Sequence, residues 1–369
     1  MFDIAIVGGG LVGSSIAWGL AKIGQRVVVL DEGDIALRAS RGNFALIWVQ
    51  SKGLGMPAYS RWTHRSALSW PRLADELARQ TGVDVALSQP GGFHIALGPD
   101  EFRRRAIFAA NLMAQAEMPP ITIEMVERAR LREALPEIGP DVAGASFCAA
   151  DGHCNALRLF RALHQGMQML GVVYRPNEGV RQIERGNGWV RITTAVGEVH
   201  AGKVVLAAGI ANARLGPMVG LEVPVAAQRG QIIVTEKTTP FLHYPTSTVR
   251  QTDEGGLLLG DSREDGQSLA VDTSISAVLA DRAVRMFPKM ATLNVVRTWA
   301  ALRVMTPDGF PIYEQSTSVP EAFVATCHSG VTLAANHALV LPTFIAQGVL
   351  PAATFDSFST RRFRVPAVA

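Results

Sequence analysis

The chain has 369 residues, a formal net charge of +3, 48% hydrophobic and 18% charged residues, which excludes a disordered chain and leaves room for two cores. Its arginines are scattered, with short clusters only at Arg103-Arg104-Arg105 and Arg361-Arg362, so there is no basic stripe for nucleic acid. Three cysteines, Cys148, Cys154 and Cys327, have the spacing of neither a disulfide framework nor a zinc site, so no metal is expected and a reducing, cytoplasmic compartment fits.

Phe2 to Val7 is a short apolar run that predicts a buried strand. Gly8 to Gly10 make a turn, Leu11 to Ile23 a helix ending at Gly24, and Arg26 to Leu30 a second buried strand ending at Asp31. The uncharged stretch from Ile4 to Ala21 is long enough to raise a membrane span or a signal peptide. Asp3 occupies the place of a basic flank and Gly8, Gly9, Gly10 and Gly13 would weaken a helix begun at Ile4, so it reads as strand, turn and helix. No transmembrane segment is expected elsewhere.

Further along, Pro57 to Gln80 predicts a helix, Val83 to Leu97 strands around Pro90-Gly91-Gly92, Pro99 to Glu117 a helix, and Glu127 to Leu135 a short one. Asp151-Gly152-His153-Cys154 reads as the turn before a helix over Asn155 to Leu170. Val172 to Ala207 holds several strands, Lys203 to Gly209 being a buried one running into a glycine turn. Strands follow at Gly230 to Glu236, Gly256 to Gly260, Val296 to Leu302 and Phe323 to Thr326, with helices at Ser274 to Phe287 and Val331 to Gln347.

Gly8-Gly9-Gly10-Leu11-Val12-Gly13 fits G-x-G-x-x-G between a strand and a helix. Gly8 permits the tight turn, Gly10 lets the backbone approach a pyrophosphate, and Gly13 lets the helix pack closely on the sheet. The helix start offers free N–H groups to phosphate. Asp31, followed by Glu32, stands where an acid bonds an adenosine ribose. The motif alone does not separate FAD from NAD.

Four later segments narrow the choice: Arg38-Ala39-Ser40-Arg41-Gly42-Asn43, Lys203 to Gly209, Trp299 to Ile312 and His328-Ser329-Gly330-Val331-Thr332-Leu333. With the opening fingerprint they resemble, in order and end to end, the D-amino-acid oxidase superfamily of FAD enzymes, in the branch of glycine and sarcosine oxidases. Pro224 to Glu236 and Gly256 to Asp265 resemble more narrowly the β-type catalytic subunits of heteromeric opine, proline and hydroxyproline dehydrogenases. The resemblance implies an α/β Rossmann-like FAD-binding domain (1–82, 141–224 and 319–369) and an α+β mixed-sheet substrate domain (83–140 and 225–318), both discontinuous. Arg303-Val304-Met305-Thr306 stands where monomeric sarcosine oxidase carries its tethering cysteine, which implies non-covalent FAD.

On the same resemblance, Gly8, Gly10, Leu11, Val12, Gly13, Asp31, Glu32, Ser40, Arg41, Gly42, Asn43, Ala208, Gly209, Ser329, Gly330, Val331 and Thr332 would hold the cofactor. Arg303 would bind a substrate carboxylate beside the flavin, since a guanidinium offers two parallel hydrogen bonds; pairing with Asp308 or another acid is the structural alternative. His328 would either bond the flavin and line the pocket or be structural. Tyr244, His243 and Arg250 are either pocket residues or polar residues on a strand face. The implied activity is hydride transfer from the carbon beside an amine nitrogen to flavin N5, on a small carboxylated amine such as a D-amino acid, D-hydroxyproline, an opine or sarcosine, in a chain partnered by other subunits and through them peripheral to a membrane. Alternatives are a stand-alone glycine or D-amino-acid oxidase using oxygen, a non-catalytic FAD-binding subunit, and a NAD-linked dehydrogenase.

Overall fold

The computed structural model describes residues 1–33, 39–40, 42–266 and 268–364. The opening apolar run forms the strand Phe2–Val7, and the glycine turn delivers the chain into the helix Leu11–Lys22. Val27–Leu30 then returns parallel to the first strand, with Ile4 opposite Val27 and Val7 opposite Leu30. A parallel pair of this kind has both faces covered, which is why its strands are uniformly apolar.

These strands sit in an eight-stranded sheet. Its main path runs Ile312–Gln315, Ala322–Thr326, Glu198–Leu206, Phe2–Val7, Val27–Leu30 and Val173–Arg175. Only Ile312–Gln315 runs antiparallel to its neighbour on this path. Val190–Thr194 and Val180–Arg185 extend the sheet as an antiparallel meander off Glu198–Leu206. Helices Leu11–Lys22, Pro57–Thr81, Ala156–Met169 and Ala334–Leu339 cover one face, over a core that includes Trp18 and Trp70, neither with any exposed surface. Burial of each side chain of this size stabilises by about 3 kcal/mol.

A second sheet orders Val249–Gln251, Gly256–Leu259, Ala226–Lys237 and Glu264–Asp265, and Val295–Met305 pairs along Ala226–Lys237 in antiparallel register. A three-stranded sheet of Gly92–Leu97, Val142–Cys148 and Glu124–Glu127 shares one core with it: Phe93, Ile95 and Val142 pack with Ile233, Leu257, Met286 and Phe287. The expected Rossmann-like sheet beside a mixed-sheet region is therefore what the chain builds.

The expected segment boundaries and the sheet memberships differ at two places. Val142–Cys148 lies beyond 140 yet pairs with Gly92–Leu97. Ile312–Gln315 lies before 319 yet pairs with Ala322–Thr326 of the main sheet. Four stretches also differ from expectation. Residues 83–91 are not a strand: the Asp84 carboxylate accepts from Ala86 N–H at 2.8 Å, and Ala86 takes a φ of 50°, so strand begins only at Gly92. The helix expected to Glu117 ends at Met113, where Gln115 turns to bond Gly53 O and Gly55 N–H. The expected helix over Val331 to Gln347 is two, Ala334–Leu339 and Leu341–Gln347, divided at Val340 because Pro342 cannot donate to the helical ladder. The Asp151 to Cys154 stretch is more than a turn: Gly152–His153 pairs with Leu46–Ile47.

Candidate active site

A cavity of about 1020 Å³ runs from the Gly8–Gly13 turn to strand Val295–Met305 of the second sheet, at the junction of the two regions where such pockets form. It brings together Gly8, Gly10, Leu11, Val12, Asp31, Glu32, Ser40, Gly42, Asn43, Ala208, Gly209, Arg303, His328, Ser329, Gly330, Val331 and Thr332. Gly13 stands behind the wall, and Arg41, like Arg38, lies outside the described residues.

The turn has little room for any side chain. Gly8 has a φ of +105°, and a Cβ there would sit 2.5 Å from Ala207 O. A Cβ on Gly13 would sit 1.9 Å from Gly8 O. Both glycines are required by close backbone packing and Gly8 also by its left-handed conformation. Ser40 Oγ accepts from Leu11 N–H at 2.9 Å, which puts this hydroxyl at the positive end of the Leu11–Lys22 helix. Asp31 braces the turn by accepting from Gly9 N–H at 2.6 Å and from Gly33 N–H at 3.0 Å. Asn43 Oδ1 accepts from Ala45 N–H at 2.6 Å, shaping the loop beneath the cavity, and Trp299 Nε1 donates to Gly42 O at 3.2 Å. On the far side, Asn212 Oδ1 accepts from Ala208 N–H at 3.0 Å. An elongated cavity with two acids at one end, a helix N-terminus beside them and no space for side chains at the turn fits an adenine dinucleotide.

A family described as FAD dependent oxidoreductase matches residues 3–341. The chain belongs to this family. Its members bind FAD, and the residues just described are those that would hold it. Within the family, this chain is similar to the B subunit of the opine oxidase of Agrobacterium tumefaciens strain Ach5, 48% identical over 98% of this chain and 97% of that one. It is similarly related to the B subunit of the opine oxidase of Rhizobium meliloti, 47% identical over 98% and 97% of the two chains. The solved glycine oxidase of Bacillus cereus ATCC 14579 superposes with a TM-score of 0.87 at 23% identity, covering 98% of this chain and 99% of that chain, which shows the shared fold.

Arg303 and His328 stand at the far end of the cavity. Arg303 rises from Val295–Met305, opposite Gln228, and lies across Gly230, where a Cβ would meet its Nη1 at 2.3 Å. Nη1 donates to Ser262 O at 2.7 Å and to Arg229 O at 3.4 Å. Its Nε and Nη2 make no hydrogen bond among the described residues; Nη2 stands 3.9 Å from Asp261 Oδ1. Asp308 is engaged elsewhere, with Arg362 at 2.7 Å.

His328 is joined to a group that sequence reasoning missed. Its Nε2 is 2.9 Å from Lys52 Nζ and 3.1 Å from Ser329 Oγ, to which Tyr59 Oη donates at 3.1 Å. An ammonium can only donate, so His328 accepts through Nε2. Burial, and after it the charge of Lys52, hold the imidazole pKa well below its ordinary value. His328 is therefore a neutral acceptor. Lys52, Asp261, Arg263 and His94 also line the cavity; Asp261 and Arg263 lie in the Gly256 to Asp265 segment, whereas Lys52 is a single lysine in a glycine-containing turn and belongs to no motif. Tyr244, His243 and Arg250 are not wall residues: Tyr244 packs edge-on against Phe93, His243 is exposed, and buried Arg250 bonds Phe44 O and His153 Nδ1.

Proposed function

We propose that this chain oxidises the C–N bond of a small amino acid or secondary amine acid, as the catalytic subunit of a heteromeric dehydrogenase with non-covalently held FAD. The observation that carries this reading is the Nε–Nη2 edge of Arg303 at the cavity wall, which makes no hydrogen bond among the described residues. That edge matches a carboxylate with two parallel hydrogen bonds, which fixes orientation as well as charge. FAD, when bound, supplies the hydride acceptor. The protein's part is then positioning: Arg303 holds the carboxylate, which sets the adjacent carbon in a single orientation. Neutral His328 adds no positive charge to a site that must take up the amine in its uncharged form. The heteromeric assignment is supported by 48% identity, across nearly the whole chain, to a protein named as one subunit of an opine oxidase, and it makes an opine the first candidate substrate.

The test is anaerobic bleaching of the FAD-loaded protein by D-amino acids, glycine, sarcosine, proline isomers, hydroxyproline and opines. One compound class should remove the oxidised flavin bands rapidly, and admitted air should restore them slowly. Fast reoxidation would favour an oxidase. A flavin that no compound bleaches, with or without co-purified subunits, would overturn the reading.

A further inference from the structure

Lys52 has no part in the oxidation as described, yet its turn is firmly built. Ser60 Oγ donates to Lys52 O at 2.8 Å. Arg105 reaches Gln50 O at 2.8 Å and Ser51 Oγ at 3.2 Å, and Gln115 donates to Gly53 O at 3.1 Å. These contacts fix the backbone on both sides of Lys52 and deliver its Nζ to His328. Among the described residues Lys52 makes no ion pair, and withdrawal from water lowers its pKa to about 8. An ammonium shielded from water without a carboxylate is costly, and the cost is relieved when an anion arrives.

The neighbouring charges are unbalanced in the same sense. At this end of the cavity Lys52, Arg263 and Arg303 are cations and Asp261 is the acid that lines it with them; Glu264, which also acts on Arg303, is paired with Arg229. One substrate carboxylate on Arg303 leaves the excess only half met. Arg303 is fixed from the second sheet by Ser262 O, and Lys52 from the turn after Leu46–Ile47, and among the described residues the two share no hydrogen-bond partner. His94 lines the same space with its Nδ1 buried and unbonded among the described residues.

We propose that Lys52, steadied by His328, binds a second carboxylate of the substrate, so that the site selects an N-(carboxyalkyl) amino acid over an amine with one carboxylate. The inference rests on the proposed oxidation for the place of the first carboxylate, on Arg303.

The test uses unreactive ethers, in which oxygen replaces the amine nitrogen. Diglycolate and 2-(carboxymethoxy)propionate carry two carboxylates; methoxyacetate carries one. Calorimetry on the FAD-loaded protein should show the diacids binding at least about tenfold more tightly than methoxyacetate. Lys52→Met should erase that preference while weakening methoxyacetate far less, and Lys52→Arg should restore part of it. Equal loss for both ligand classes in Lys52→Met would mean that Lys52 and Arg303 share one carboxylate, and would overturn the proposal. So would a wild-type protein that shows no preference. Failure of the oxidation reading looks different: diacids would bind selectively while no amine bleached the flavin.

Discussion

Gly230→Ala tests Arg303 as a carboxylate anchor without touching its charge. Gly230 lies opposite Ala301 in the second sheet. A Cβ built there sits 2.3 Å from Arg303 Nη1 and 2.6 Å from both Cζ and Nη2. Ordinary contact between such atoms needs about 3.5 Å, so the guanidinium must move by roughly 1 Å. The obstructing atoms are the far end of a flexible side chain, so Arg303 can swing away and the strand can stay. The fold should lose no more than about 1–3 kcal/mol. The swing breaks the 2.7 Å bond to Ser262 O and carries the Nε–Nη2 edge out of register. A displacement of this size costs about 10²-fold in a positioned reaction. The assay is anaerobic flavin reduction against substrate concentration, with FAD content and melting temperature as controls. We predict normal FAD content and kcat/KM about 10²-fold lower. A variant that holds FAD and is reduced with unchanged kcat/KM would refute the assignment of Arg303.

Further expectations follow from other contacts. Gly13→Ala would place a Cβ 1.9 Å from the backbone oxygen of Gly8; neither backbone can yield, so the purified variant should show little flavin absorbance, and full FAD content would contradict the turn's role. Lys52 has a pKa of about 8, lowered first by burial, with Asp261 opposing and Arg263 and Arg303 adding to the shift. Its charge in the free protein is present below that pH and lost above it. Neighbouring Cys327 is pushed up to about 12 and His328 stays neutral, so diglycolate affinity should fall as pH rises through about 8. Calorimetry giving a flat profile across that range would count against a charged Lys52. Burial raises the pKa of Asp151 to about 7 from 3.8, against the bonds from Val49 and Gln50 and the charge of Arg105. A carboxyl raised in this way contributes stability that is full below about pH 4 and lost as pH rises through about 7. Melting temperature should therefore decline over that window in the wild type and decline less in Asp151→Asn; parallel profiles would show that Asp151 does not titrate there.

The parts legible in the sequence are those whose signal is local. The fingerprint is six adjacent residues whose geometry follows from missing side chains, and the parallel strands announce themselves as unbroken apolar runs such as Val27–Leu30, buried throughout. Val142–Cys148 (VAGASFC) escaped because its small residues give weak strand propensity, and its identity depends on pairing with Gly92–Leu97. The site divides in the same way. Arg303 and His328 lie in recognisable motifs, whereas Lys52 becomes a site residue only through contact with His328, 276 positions away. The Asp151 network with Val49 and Gln50 spans about a hundred positions, and the need for glycine at 230 appears only once Arg303 lies across it. None of these leaves a periodicity or a spacing to read.

The most direct measurement of the central claim is stopped-flow absorbance of the FAD-loaded protein mixed anaerobically with an opine. The account predicts loss of the oxidised flavin bands in a phase that saturates with opine concentration and is strongly slowed by Arg303→Met. Oxidised bands that persist with every opine and amino acid offered, by a protein holding its full complement of FAD and any co-purified subunits, would contradict it.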